Sequence, residues 1–377
     1  MKKLTVLIVI LLLLSLLLGC WDRRYLRDHM LILAIGYDLN EDNQKIRKTV
    51  SFPLETPANM PQTGTSGGQN EQLTVEGNTI GETDIELDRH LSQKFDRSKA
   101  RVILLGKKLA EQGIFSVLDA TYRDPKGALG AVVAIADETA EDGLKKGDFQ
   151  SFLPSEYYFD LLKTAEESGI IIRENVQSIC PVLLGGRKDI VLPLIKIGEG
   201  ENKVNLDGMA LFSGDKMTGT ITGEHSIMLL ILKKTNTKKI HFNLKVSDDE
   251  EDHGKNYVTF AIRKEKRKLD LDVKGEDIKV NIHINLRLEV EEYPKDKLYK
   301  EENIETLEKQ IEKRLTTIAK ETIEKIQEAN NDSLGIGERI RAFHHDTWEQ
   351  VDWREVYPDI PFDVTFDVEI SQHGVIN

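Results

Sequence analysis

Residues 278–290 read IKVNIHINLRLEV, and this stretch decides the fold of the second half of the chain. Ile278, Val280, Ile282, Ile284, Leu286, Leu288 and Val290 alternate without a break against Lys279, Asn281, His283, Asn285, Arg287 and Glu289. Successive side chains of a strand point to opposite faces, so a period of two gives one apolar and one wet face. Ile240, Phe242, Leu244 and Val246 repeat the pattern, as do Phe362, Val364, Phe366, Val368 and Ile370. Three such segments predict an antiparallel sheet with one buried face, and something must cover that face. The segment from Glu301 to Ala329 carries Ile304, Leu307, Ile311, Leu315, Ile318, Ile323 and Ile326 at mostly three- and four-residue steps. They make one stripe on a helix about 40 Å long. The expectation is a C-terminal domain over 203–377 in which a long amphipathic helix covers an antiparallel sheet.

The first half follows another grammar. Met30 to Tyr37 (MLILAIGY) reads as a buried strand, Lys45 to Phe52 as an alternating one, and Leu73 to Glu76 as extended. Ile80 to Phe95 reads as helix, Arg101 to Leu105 as a short buried strand, and Lys107 to about Tyr122 as helix. Ala128 to Ala136 is a continuous apolar run, as in a central strand covered on both faces, and Ser155 to Ser168 is helical. Strand and helix in alternation predict an α/β region over 30–199, as one unit or two subdomains. A linker is expected within Pro193 to Asn202, where Gly198 and Gly200 fall, and a surface loop from Pro53 to Asn70. The fold class is therefore mixed, α+β.

Lys2 and Lys3, a predominantly apolar stretch from Leu4 to Leu18, and Gly19 before Cys20 describe an export signal over 1–19. A cysteine at the cut indicates a lipoprotein signal, in which Cys20 receives a diacylglycerol and becomes the first mature residue. Leu18 is bulkier than the small residue usual at that place. The apolar stretch would span about 22 Å as a helix against a hydrocarbon core of roughly 30 Å, which disfavours a retained transmembrane anchor. Residues 20–29 (CWDRRYLRDH) then form a polar tether between membrane and folded body.

The chain carries a net charge of −13, and loss of Lys2 and Lys3 takes it to −15. Such a surface is repelled by nucleic acid and by anionic headgroups, so the lipid would have to hold it to the membrane. An apolar fraction of 40% and a charged fraction of 31% fit a globular body rather than a disordered or multi-span chain. Only Cys20 and Cys180 are present, so lipidation leaves no intrachain disulfide. Cys180 lies in an apolar run and is expected to be a buried small hydrophobe.

No catalytic, cofactor-binding or metal constellation stands out. His344, His345 and Asp346 are adjacent, and neighbouring helical positions point about 100° apart. Glu224-His225 lacks a second histidine four residues on, and Gly335-Ile336-Gly337 alone does not make a phosphate cradle. Phe343, Trp348, Trp353 and Tyr357 are read as packing between a helix end and the sheet in preference to an aromatic ligand cage. The chain is expected not to be an enzyme.

Several stretches resemble one family in order. They are Gly19-Cys20-Trp21-Asp22-Arg23-Arg24, Ala100 to Ile114 (ARVILLGKKLAEQGI), Leu206 to Phe212 with Asp215 to Gly219, and Asp332 to Gly337 (DSLGIG) followed by Trp348, Trp353 and the final strand. Together they resemble the Ger(x)C family, the lipoprotein C subunits of spore nutrient-germinant receptors. The resemblance implies a non-catalytic subunit, lipid-anchored on the outer face of the inner spore membrane. Its implied partners are a polytopic B subunit and an A subunit with soluble and membrane parts. It implies mixed α/β domains of unusual topology, two or three in number, and leaves open whether this subunit binds the nutrient. The other function class weighed is a solute-binding lipoprotein feeding a transporter.

Overall fold

The computed structural model describes residues 29–53, 70–146, 153–198, 204–235, 240–248, 253–295 and 297–373. The expected signal over 1–19, Cys20, the expected tether through residue 28 and most of the 53–70 loop lie outside the described residues.

The N-terminal half contributes strands β1 (His29–Leu31), β2 (Ala34–Asn40), β3 (Lys45–Pro53), β4 (Asn70–Gly77), β5 (Lys94–Asp96), β6 (Val102–Gly106), β7 (Val132–Ala136), β8 (Glu174–Asn175) and β9 (Val191–Ile197). Its helices are α1 (Ile80–His90), α2 (Lys107–Gln112), α3 (Phe115–Tyr122), α4 (Ala140–Lys146), α5 (Pro154–Glu167) and α6 (Val176–Gly185). The strands β10 (Val204–Ser213) and β11 (Lys216–Ile221) and the helix α7 (Gly223–Lys233) follow. The C-terminal half then builds β12 (Ile240–Lys245), β13 (Tyr257–Lys274), β14 (Asp277–Glu292), α8 (Glu301–Glu328), α9 (Ile336–Phe343), α10 (His345–Gln350), α11 (Trp353–Val356) and β15 (Phe362–Gln372).

Nine strands form one sheet in the order β11-β10-β9-β7-β6-β2-β3-β4, with β8 and β9 sharing one edge of β7. The middle strands β2, β6, β7 and β9 run parallel, and β6 and β7 are buried along their whole length. That burial is what unbroken apolar runs with helices on both faces require. One face (Ala34, Val102, Leu104, Ala134) belongs to a core with α4 and α5; the other (Ile35, Ile103, Leu105, Val133) packs with α1, α3 and α6.

Several expected elements are shorter than their apolar patterns. The helix read to Phe95 ends at His90, and Phe95 joins β5, which pairs in parallel with β1. The helix read over 107–122 breaks at Gly113, whose φ of +142° only glycine adopts without strain, giving α2 and α3. Of the run from Ala128, Ala131 donates to the Ala128 carbonyl in a turn before the strand starts.

The linker expected at 193–202 does not separate two sheets. Pro193 sits inside β9, opposite Met209 of β10, and β9–β10–β11 is antiparallel. The apolar run around Pro193 (Val191, Leu192, Leu194, Ile195) is buried and overrides the loop signal of the proline. One apolar core also runs from the nine-stranded sheet through Met228 to Leu232 of α7 into the second sheet.

That second sheet has the order β12-β13-β14-β15 with the long helix α8 on its apolar face, as the alternation requires. The first three strands are antiparallel, whereas β15 lies parallel to β14. Alternation fixes which face is buried but is blind to strand direction; the intervening helices carry the chain back to start β15 at the same end. On the outer edge of β15, the amides of Val368 and Ile370 donate to carboxylates of α8, Glu312 at 3.0 Å and Glu308 at 2.7 Å. The helix thereby caps an edge that would otherwise be open to pairing.

Candidate functional site

A dense polar cluster lies where the loop after α8 meets β9 and β10. Asp189, its side chain fully buried, takes a bidentate pair from Arg354 of α11, with both guanidinium nitrogens at 2.7 Å. Asp189 also accepts the amides of Gly214 at 2.9 Å and Asp332 at 2.7 Å. Arg354 donates further to Asn330 O at 3.1 Å and Ser213 Oγ at 3.2 Å. Buried Asn331 bridges the carbonyls of Ile190 at 3.0 Å and Phe212 at 2.6 Å. The Asp189–Arg354, Asp189–Asp332, Ser213–Arg354 and Asn331 links each join the two halves of the chain across more than a hundred residues of sequence.

Asp332 holds the turn itself. Its carboxylate accepts the amides of Ile336 at 2.9 Å and Gly337 at 2.7 Å and the indole N–H of Trp353 at 3.1 Å. Burial pushes its pKa up to about 7, and Asp189 adds to the rise, while the amide and indole donors pull the other way. Gly335 stands at φ +73°, and a Cβ on Gly337 would lie 2.6 Å from Trp353 Nε1 and 2.9 Å from the Arg187 carbonyl. Both glycines are therefore required by the turn. Tyr357 closes the cluster by donating to Asn331 O at 2.9 Å.

A second charged feature lies beside β1, the first of the described strands. A cavity of about 310 Å³ is lined by His29, Asp84, Phe95, Arg97, Asp124 and Lys126 among others. Behind it, Lys48 is fully buried against Asp84, with its ammonium 4.6 Å from the Phe95 ring centre. Arg97 pairs with Asp84 at 2.9 Å and Asp124 at 3.1 Å, so the lining charges largely satisfy one another.

Two sequence-family profiles match the chain: "Spore germination protein N-terminal domain" over residues 22–197, and "Spore germination B3/GerAC like, C-terminal" over residues 207–374. The chain belongs to the GerAC family of spore germination proteins. It is 26% identical over 364 residues to the spore germination protein GerQC of Bacillus cereus, covering 95% of this chain and 96% of that one. It is 24% identical over 371 residues to the spore germination protein B3 of Bacillus subtilis, covering 95% of each. The crystal structure of the GerBC protein superposes with a TM-score of 0.56 at 19% identity, covering 90% of this chain and 99% of that one, which shows a shared fold.

The residues singled out in the sequence now have places. Cys20 lies outside the described residues. Cys180 is buried, and burial pushes its thiol up to about 11, which keeps it protonated. The family stretch 332–337 is the turn held by Asp332. Trp348, Trp353 and Tyr357 stack in series at 6.0 and 5.6 Å, with Phe362 a further 6.5 Å from Tyr357. Trp353 and Tyr357 are buried, with their polar ends committed to Asp332 and Asn331, so they are packing and not a ligand cage. Phe343 does not join them and is 75% exposed. His345 faces Glu349 on its own helix at 3.9 Å, and among the described residues it joins no group of three possible metal ligands. Glu224 and His225 do find a third partner, Glu321 of α8, which sequence spacing had no means to reveal across 96 positions.

Among the described residues no helix is long and apolar enough to cross a membrane. Asp189 and Arg354 escaped the sequence reading because nothing in their local context marks them; they become visible only once β9 and α11 are brought together.

Proposed function

We propose that this chain is a non-catalytic, lipid-anchored subunit of a spore germinant receptor, needed for nutrient-triggered germination through contacts with A-type and B-type membrane subunits. One observation carries the reading: family similarity begins at residue 22, two positions after Cys20, and continues to residue 374. The part of the chain left after lipoprotein processing is thus family sequence nearly end to end. Diacylglycerol on Cys20 holds it on the outer face of the inner spore membrane. Each buried CH₂ contributes about 0.8 kcal/mol, so two acyl chains suffice without charge attraction. A mature charge of −15 argues that charge attraction plays no part.

The buried seam supports a role as a rigid interaction body. A solute-binding lipoprotein of a transporter closes two lobes about a hinge, whereas here β10 continues the sheet of β9 and one core spans both halves.

The test is affinity purification from spore membranes of wild-type and Cys20→Ala strains, alongside their germination response. The expected result is co-purification of polytopic membrane subunits with wild type, and an unprocessed, non-functional precursor in Cys20→Ala. Mature-size Cys20→Ala protein in the soluble fraction with normal nutrient germination would overturn the assignment.

A further inference from the structure

We propose that Glu224 and His225 of α7 and Glu321 of α8 form a binding site for a divalent transition cation of the zinc class. One ligand atom from each of the three lies within 4.8 Å of the others. The hydrogen bonds around His225 then fix which nitrogen is offered. Thr322 Oγ1 donates its proton to the Ile318 carbonyl at 2.7 Å and can only accept from the imidazole, whose Nδ1 sits 3.0 Å away. Nδ1 therefore carries the proton, and in the neutral ring Nε2 presents a lone pair. Nε2 stands 4.0 Å from Glu321, too far for a direct hydrogen bond, and a positive charge between them, a metal ion or a proton on Nε2, would satisfy both groups.

The spacing suits a bridging ion. With metal–nitrogen and metal–oxygen bonds of about 2.1 Å and tetrahedral angles, the two ligand atoms would stand about 3.4 Å apart. Closing from 4.0 Å is a small side-chain movement, and Glu321 is 43% exposed and free to make it. Glu224 has one oxygen, Oε1, on Arg314 at 2.8 Å, which orients the carboxylate and leaves Oε2 for the ion. One imidazole and two carboxylates, with water in the fourth position on the exposed side, are the donor set that zinc and neighbouring first-row ions accept. The Thr322 bond to Nδ1 is the outer partner that a metal-bound histidine ordinarily has. The site would staple α7, which follows β11 of the large sheet, to α8, which covers the small one, through residues separate from the Asp189–Arg354 cluster.

Isothermal titration of the metal-stripped full chain with zinc chloride at pH 7.5 tests this. The expected result is one equivalent bound at micromolar affinity or tighter, weakened at least about tenfold by His225→Gln and by Glu321→Gln. Glu321 is exposed, so its variant should fold normally, and its melting temperature without metal checks that. Thr322→Val, which frees the tautomer, should weaken binding while keeping all three ligands. His344→Ala/His345→Ala should leave it unchanged. Binding that survives both His225→Gln and Glu321→Gln, or that vanishes with His344→Ala/His345→Ala, would overturn the proposal, as would absence of binding below millimolar zinc.

Discussion

Replacing Arg354 by methionine should remove the clamp between the two halves of the protein. The guanidinium satisfies both oxygens of Asp189 at 2.7 Å and also reaches Ser213 and Asn330. Asp189 has no exposed side-chain surface, so the substitution leaves a buried carboxylate with only backbone amides for protein partners. Removing one partner of a buried pair costs about 3–5 kcal/mol. Arg354 is itself 35% exposed, and water can partly take its place, which puts the expected loss near the lower end of that range. Urea unfolding of the purified chain, followed by tryptophan fluorescence, reads this as a lower midpoint at an unchanged slope. The informative control is Asp189→Asn combined with Arg354→Met. With the stranded charge gone, the double variant should recover much of the loss, giving a coupling of at least about 1 kcal/mol in the double-mutant cycle. Arg354→Met within 1 kcal/mol of wild type, or strictly additive effects, would refute the clamp.

Two further outcomes follow from the turn at Asp332. Its folded pKa of about 7 exceeds the unfolded value near 3.9, so the stabilisation of the protonated form is complete below pH 4 and lost as pH rises through 7. Wild type should lose up to about 4 kcal/mol across that range from this group, and Asp332→Asn should flatten that part of the decline. Unfolding at pH 5 and pH 8 measures the difference, and identical slopes in both proteins would remove Asp332 as the cause. Gly337→Ala should destabilise by about 1–3 kcal/mol, because the new methyl meets the Trp353 indole and a backbone carbonyl. An unchanged melting temperature would show that the indole has room to move.

Legibility followed the range over which each determinant acts. Faces of strands and the stripe on α8 are written in every second or every third and fourth residue, and they were readable from Ile278 to Val290 and from Ile304 to Ile326. The parallel direction of β15 depends on where the chain returns, and no local pattern encodes it. The break at Gly113 was hidden inside apolar residues that suited one long helix. Pro193 and Gly198 mimicked a linker because turn residues act on a single peptide unit, whereas burial of β9 depends on strands far away in sequence. The motif 332–337 was noticeable as a resemblance, but its task rests on Trp353 and on Asp189, 143 positions upstream. Cys20 is the opposite case: its expected role is read entirely from its neighbours in sequence, and it lies outside the described residues.

The pairing of β9 with β10 also sets the order in which the protein can be finished. While residues 29–198 are all that has been synthesised, the edge of β9 that β10 will cover is bare, and Val191, Leu192, Leu194 and Ile195 lack part of their final cover. A long, apolar, unpaired edge invites association with another chain. Only when residues 204–221 emerge and fold back does the hairpin of β10 and β11 close it. The N-terminal sequence thus completes its sheet only with strands that come after it, and the margin of β9 stays bare until the next twenty or so residues have arrived.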